Sequence, residues 1–439
     1  MPKNKPKKSK GRGFKTRAEQ LQAGESASQS QDEETLSDTS SVATAASDYH
    51  DDVANGENAV EGSTLEDTEI RLKEVIEGLT EKNAKHRQNC LIEIRKAFAS
   101  TWLVAFLENY QETLLDYMEK CLRKGKGEEQ SLAADALAVV GTQVVACGEG
   151  ERLFLQFKSI LLVIISDKSA STVARTNCCR TLGLLTFMAV DEVAQIYSCM
   201  SAFETVFRQS YLKGDKSVPT VSPLVSDLHM SALSAWGLLL SVVPWSKVVE
   251  SAESHLSKLP ELLTSNNVML RITAGETIAL FYEIYRTEDS ERLVRRLLNV
   301  RDLTEDLHLL ATDSSKHRAK KDRRQQRSSF RDILRAVENG DTPEDSIKFG
   351  SEILYICSWT GKRQYSAVKD TLSTGMNFHL KENPLLRDIF ELGPPLLDGE
   401  AGRLNRGSHF ERHLYNQAIF KARSIVRGRQ RDKRVGFGV

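Results

Sequence analysis

The chain has 439 residues, 40% of them apolar and 27% charged, and its 60 Lys/Arg balance 60 Asp/Glu. That length accommodates two or three domains with a sizeable core, and the composition suits a water-soluble protein. The best apolar runs, ILLVIIS (160–166) and WGLLLSVVPW (236–245), are far too short to span a bilayer.

Neutrality hides a segregation of charge. Residues 1–17 carry eight Lys/Arg and no acid, whereas 18–70 carry fourteen Asp/Glu and no Lys/Arg. The middle, 71–315, has a net charge of about −4 and the remainder, 316–439, about +10. Residues 1–64, a basic and then acidic, Ser-rich arm, are too poor in apolar side chains to offset the entropy of ordering and are expected to be disordered. Their opening, MPKNKPKKSKGRGFKTR, has no apolar stretch of the secretory kind. It has the character of a nuclear import signal, a loose RNA-binding tail or a solubilising tail. The seven cysteines form no C-x-x-C pair and mostly lie in apolar helical patterns, as expected of reduced, buried thiols in a cytosolic or nuclear protein.

From Leu65 the pattern becomes helical and repeats itself. Four stretches read alike: HRQNCLIEIRKAF (86–98), EQSLAADALAVVG (129–141), ARTNCCRTLGLLT (174–186) and LRITAGETIALFY (270–282). Each places a long polar residue (Arg87, Gln130, Arg175, Arg271) three before a small one (Cys90, Ala133, Cys178, Ala274), with an aliphatic four later (Ile94, Leu137, Leu182, Ile278). HMSALSAWGLLL is a weaker copy, with His229, Ala232 and Trp236 in those places. The spacings of 43, 45, 54 and 42 residues fall in or near the range of HEAT and armadillo repeats. A small residue in mid-helix admits a close neighbour, and each unit buries its face only by stacking on the next. The expectation is a mainly α fold, with an armadillo/HEAT-like α-solenoid of about five repeats over 65–312. A smaller helical C-terminal domain with one or two short strands should follow, over 313–402. IKFGSEILYICSW (347–359) has the β-branched and aromatic character of those strands. YSAVKDTLSTGMNFHLKENPLLRDIFELGPP reads as helices stopped by a Gly-Pro-Pro turn, and 403–439 as a basic helix and tail.

Catalytic signatures are missing: there is no P-loop, dinucleotide fingerprint, G-x-S-x-G or H-E-x-x-H. His409 and His413 stand four apart without further ligands at metal-binding spacing. No enzyme activity, cofactor, metal or small-molecule substrate is expected, and no membrane partner.

Charge remains. Lys316, Arg318, Lys320, Lys321, Arg323, Arg324, Arg327 and Arg331 stand against Asp322 alone, followed by a Phe330, Ile333, Leu334, Val337 stripe. The second half of this helix should dock, whereas the first half has nothing apolar to bury and should present cations to phosphate. The C-terminal segment repeats the design: apolar lines over 410–426 accompany Arg412, Lys421, Arg423, Arg427, Arg429, Arg431, Lys433 and Arg434. Arginine predominates, which favours bidentate phosphate contacts and stacking on bases. RNA read by backbone and shape is the favoured partner, since no RRM, KH or DNA-binding pattern is found. Import signals, or pairing with the acidic arm, are the alternatives.

KHRAKKDRRQQRSSFRDILRAVE, IKFG, FELGPP and FERHLYN…FKARS, with MPKNK, CLRKGK, SYLKG and RITAGE, together resemble the interferon-related developmental regulator family. The resemblance implies an armadillo-type domain followed by a C-terminal domain, and two kinds of activity. One is binding to translationally inactive ribosomes, with the protein in the tRNA and mRNA path and a C-terminal helix, here 410–434, in a channel lined with rRNA. The other is transcriptional co-regulation in differentiation, through nuclear co-repressors such as histone-deacetylase complexes. A cytoplasmic location accompanies the first reading and a nuclear one the second.

Overall fold

A computed structural model describes residues 65–215, 217–288, 290, 298–313 and 319–395. The arm expected over 1–64 and the basic segment over 403–439 lie outside them.

Six helix pairs stack in series among the described residues. They are α1 (Leu65–Gly78) with α2 (Ala84–Ser100), α3 (Val104–Lys124) with α4 (Glu128–Ala146), and α5 (Gly150–Ser166) with α6 (Thr172–Ala189). Then come α7 (Val193–Phe207) with α8 (Pro223–Leu240), α9 (Trp245–His255) with α10 (Val268–Thr287), and α11 (Val300–Thr312) with α12 (Lys320–Asn339). Each even-numbered helix packs on its even-numbered neighbours and on its odd-numbered partner, except in the fifth pair. There the 3₁₀ turn Leu259–Thr264 after α9 packs on α10, and α9 itself meets α10 through the edge contact of Trp245 with Tyr285. The result is an α-solenoid. One row of helices is shared between neighbours, so burial is continuous from α2 to α12.

All five copies of the repeat pattern fall on even-numbered helices. The small residues Cys90, Ala133, Cys178, Ala232 and Ala274 are buried, as are Ile94, Leu137, Leu182, Trp236 and Ile278 one turn on. The long polar residue has a common task. Arg87 donates to Glu81 O and Lys82 O, Gln130 to Leu122 O, Arg175 to Ile165 O and Arg271 to Ser265 O. Each thereby satisfies carbonyls at the end of the preceding helix or in the turn after it, groups a helix leaves unpaired. In α8 the same place is taken by His229, which makes a 2.6 Å hydrogen bond to the Ser210 hydroxyl just past α7 instead of to a carbonyl. Asn83, Ser222 and Asn267 cap the starts of α2, α8 and α10 with their side chains.

The solenoid holds one pair more than the periodicity predicts. In α12, Arg323 stands in the long-polar place, Gln326 in the small place and Phe330 in the aliphatic place. Arg323 keeps to the pattern, but a long polar side chain, Gln326, in the small place disguises the copy.

After α12 an antiparallel hairpin forms, β1 (Asp345–Phe349) with β2 (Glu352–Ile356), in which Ile347 pairs with Leu354. Then α13 (Trp359–Leu372), α14 (Met376–Glu382) and α15 (Pro384–Ile389) run back across the even-numbered helices. Arg363 of α13 reaches Ser234 of α8 (3.2 Å) and Glu276 of α10 (3.3 Å). Further along, Arg95 of α2 donates to Thr371 O at 3.3 Å, His379 donates to Phe98 O at 2.9 Å, and Asn383 to Thr142 O at 3.2 Å. These three helices form a strap that begins on the fifth pair and ends on the first two. A buried ion pair, Arg387 with Glu352 at 2.8 Å, ties the end of the strap to the hairpin.

The thiols follow expectation in the main. Cys90, Cys121, Cys178, Cys179 and Cys199 are buried, while Cys147 is exposed. Burial pushes the Cys121 and Cys179 thiols up to about 12, far from thiolate chemistry.

Candidate nucleic-acid interface

The basic helix α12 is held by a face that its sequence conceals. Gln326, Phe330, Ile333, Ala336 and Val337 are buried against α10 and α11, with Leu334 beside them. The apolar stripe docks as expected. The first half of the helix, however, is not a free cationic rod, because Gln326 fixes it. Its side-chain oxygen accepts from Arg271, and its amide donates to Asp313 Oδ2 (3.1 Å) and Leu310 O (3.3 Å). Gln326 is 1% exposed and Arg271 2%, so this is an interior polar joint with its amide fully used. The close approach of α10 depends on Gly275, where a Cβ would lie 2.9 Å from Ile333 Cδ1 and 3.0 Å from Phe330 Cε1.

The far end is capped twice. Gly340, at φ +83°, turns the chain left-handed and donates to Ala336 O, a conformation that suits glycine. Arg286 of α10 donates to the same carbonyl at 2.7 Å.

With one face locked, the opposite face is fixed in direction. Lys320, Arg324, Arg327 and Arg331 follow one another at i, i+4, i+7 and i+11, and all but the half-buried Arg327 are exposed. They form a row about 16 Å long with one cation per turn. Lys321 is exposed to one side of the row, and Arg323 lies half-buried on the other. Arg335 would continue it but pairs with Asp332. Lys316 and Arg318 fall outside the described residues, as do Arg412, Lys421, Arg423, Arg427, Arg429, Arg431, Lys433 and Arg434.

This arrangement works against the helix. Cations in the first turn oppose the macrodipole, each at about 0.3–1 kcal/mol. Like charges four apart, as in Lys320–Arg324, Arg323–Arg327 and Arg327–Arg331, cost about 0.2–0.5 kcal/mol a pair. The terminal repeat of a solenoid needs a polar outer face, and mixed charge would supply it. A single-sign row is a local conflict of the kind found at functional sites.

Among the described residues, the strap lies across the even-numbered helices α2, α4, α6, α8 and α10. Among the described residues no cluster of His, Cys, Asp or Glu is arranged to hold a metal ion, and no helix is long and apolar enough to cross a membrane.

Comparison with known proteins points to one family. Residues 35–338 match the family model described as interferon-related developmental regulator, and 383–435 match the interferon-related protein conserved region. Interferon-related developmental regulator 1 of Sus scrofa is 44% identical over 379 residues, covering 86% of this chain and 84% of that protein. Interferon-related developmental regulator 2 of Mus musculus is 43% identical over 401 residues, covering 91% and 90%. Among solved structures, a designed armadillo repeat protein aligns with 60% of the chain and 99% of its own length, at 12% identity and a TM-score of 0.35. The 43–44% identity to these two regulators, over nearly the whole length, leaves one assignment: the chain belongs to the interferon-related developmental regulator family.

Proposed function

We propose that this protein binds ribosomes that are not translating and keeps them idle by occupying the path of mRNA and tRNA. The observation that carries the proposal is the row Lys320, Arg324, Arg327, Arg331, a line of like charge held in a fixed direction by the docked face of its own helix. A row with one cation per turn, about 5.4 Å apart, suits successive phosphates along a single strand of rRNA. Contacts of this kind recognise backbone and shape, not base sequence. The basic segment 403–439 supplies the second contact in this reading, and mRNA and tRNA are excluded by occupancy alone. No step requires catalysis or a cofactor.

The test is sedimentation with purified eukaryotic ribosomes stripped of mRNA and tRNA. Full-length protein should travel with the ribosome and be displaced when mRNA and tRNA are supplied. The R324E/R331E variant and the 1–402 truncation should each travel less. If the full-length protein stays at the top of the gradient at low salt, the reading is wrong. A nuclear co-regulator acting through protein partners then takes its place.

A further inference from the structure

We propose that the edge of the solenoid running from the α7–α8 connection to the first turn of α12 docks an acidic amphipathic helix of a partner protein. The second residue of α6, α8 and α10 is Val173, Leu224 and Met269 in turn, and these are 44%, 54% and 40% exposed. The N-terminal ends of α8, α10 and α12 are linked in series, and α6 packs beside α8. Asn267 at the start of α10 donates to Asp227 of α8 at 2.8 Å, and Gln325 of α12 approaches Met269 Sδ at 3.6 Å. The apolar residues therefore stand in a row, and the row leads to α12. Single exposed aliphatics on a surface need no explanation, but a row repeated in register does.

The α7–α8 connection extends this row. It accounts for the longest repeat spacing, 54 residues, and its end carries exposed Val221 immediately before α8. Its base is fixed to the fifth pair: Tyr211 Oη lies 3.0 Å from His255 Nδ1, and Leu212 donates to Glu261 Oε2 at 3.0 Å. A long connection anchored at its base and apolar at its end has the build of a binding loop.

Spacing and charge name the occupant. Packed helices lie about 8–10 Å apart, and two turns of an α-helix rise about 10.5 Å. A helix laid across the row can therefore place an apolar side chain every seventh residue on Leu224 and then on Met269. Beyond Met269 it meets the exposed Lys320, Lys321 and Arg324, whose positive charge complements carboxylates at that end of the helix.

Fluorescence anisotropy of the full chain with a labelled model helix, leucines on one face and glutamates on the other, tests the proposal. A lysine/leucine counterpart serves as control. The acidic helix should bind and the basic one should not. L224D/M269D should weaken binding about tenfold or more, with the thermal melt and ribosome sedimentation unchanged, since neither residue is in the cation row. No binding of the acidic helix, or equal binding by wild type and variant, overturns the proposal. So does a loss of RNA affinity in L224D/M269D with peptide binding intact, which would assign the row to nucleic acid. Ribosome binding can fail or hold independently of either result.

Discussion

Glu283, near the end of α10, accepts hydrogen bonds from the backbone N–H groups of Trp359 (2.6 Å) and Thr360 (2.9 Å). One carboxylate thus caps the first turn of α13 and pins the start of the strap to the fifth helix pair. Burial raises its proton affinity, although these hydrogen bonds and nearby Arg286 oppose the rise.

That balance has a sign. A glutamate whose native pKa lies above its unfolded value of about 4.3 holds its proton more tightly in the folded chain. Its contribution to stability therefore falls as pH rises from the ordinary glutamate range through the raised native value, and is level above that. Urea titrations of wild type and Glu283→Gln across this range should converge at the acid end, with the variant gaining relative to wild type as pH increases. Glu283→Ala removes the acceptor altogether. It should cost about 1–3 kcal/mol and speed amide exchange across Trp359–Leu372.

His229 titrates in the opposite sense. Burial lowers its pKa to about 4, and it is 2% exposed. The unfolded chain takes up a proton below about 6.5 that the folded chain refuses until about 4. The neutral ring's contribution is complete above 6.5 and is lost as pH falls through that window, amounting to about 3 kcal/mol. His229→Gln keeps a hydrogen-bonding partner for Ser210 without a titrating ring. Its stability profile between pH of about 6.5 and 4 should be flatter than that of wild type by roughly this amount.

Arg87 holds Glu129 by two hydrogen bonds, Nε to Oε1 and Nη2 to Oε2, each 2.7 Å, and the Glu129 side chain is only 5% exposed. Arg87→Met strands a buried carboxylate and frees the carbonyls of Glu81 and Lys82. A loss of about 3–5 kcal/mol is expected, readable as a shift of the urea midpoint. The double variant Arg87→Met/Glu129→Leu should recover most of it.

Arg331 separates stability from function. Arg331→Glu turns a repulsion with Arg327 into an attraction and should stabilise α12 by a few tenths of a kcal/mol. The same change should weaken RNA binding and reduce the slope of log affinity against log salt by about 0.7–0.9 for each phosphate no longer neutralised. A melting temperature that rises while RNA affinity falls would mark the row as selected for binding.

The solenoid was legible because its repeat is written in residue size. Cys90, Ala133, Cys178, Ala232 and Ala274 admit neighbours, and a small residue followed by an aliphatic one turn later is visible in any sequence. The sixth pair was not legible, because Gln326 occupies the small place and is buried by its bonds to Arg271 and Asp313, which lie on other elements. The row Lys320, Arg324, Arg327, Arg331 could be read from helical spacing once one face was known to dock. That Lys321 and Arg323 sit to either side of it required the direction of docking. The hairpin and the helices after it were visible as elements. Their path was not, since Arg363, His379 and Asn383 find partners more than a hundred residues away, and periodicity carries no information at that range.

A stack of helix pairs joined only to its neighbours flexes like a spring, since each interface contributes a small bend. Here the strap is bonded to α10 at one end and to α2 at the other, with Arg363 holding it to α8 in between. A bend at one interface must stretch or shorten contacts along the whole span. The protein is thereby a caliper, not a cradle. The distance from its first repeat to the cations of α12 is set when it folds, and it can grip only a partner whose own dimensions match.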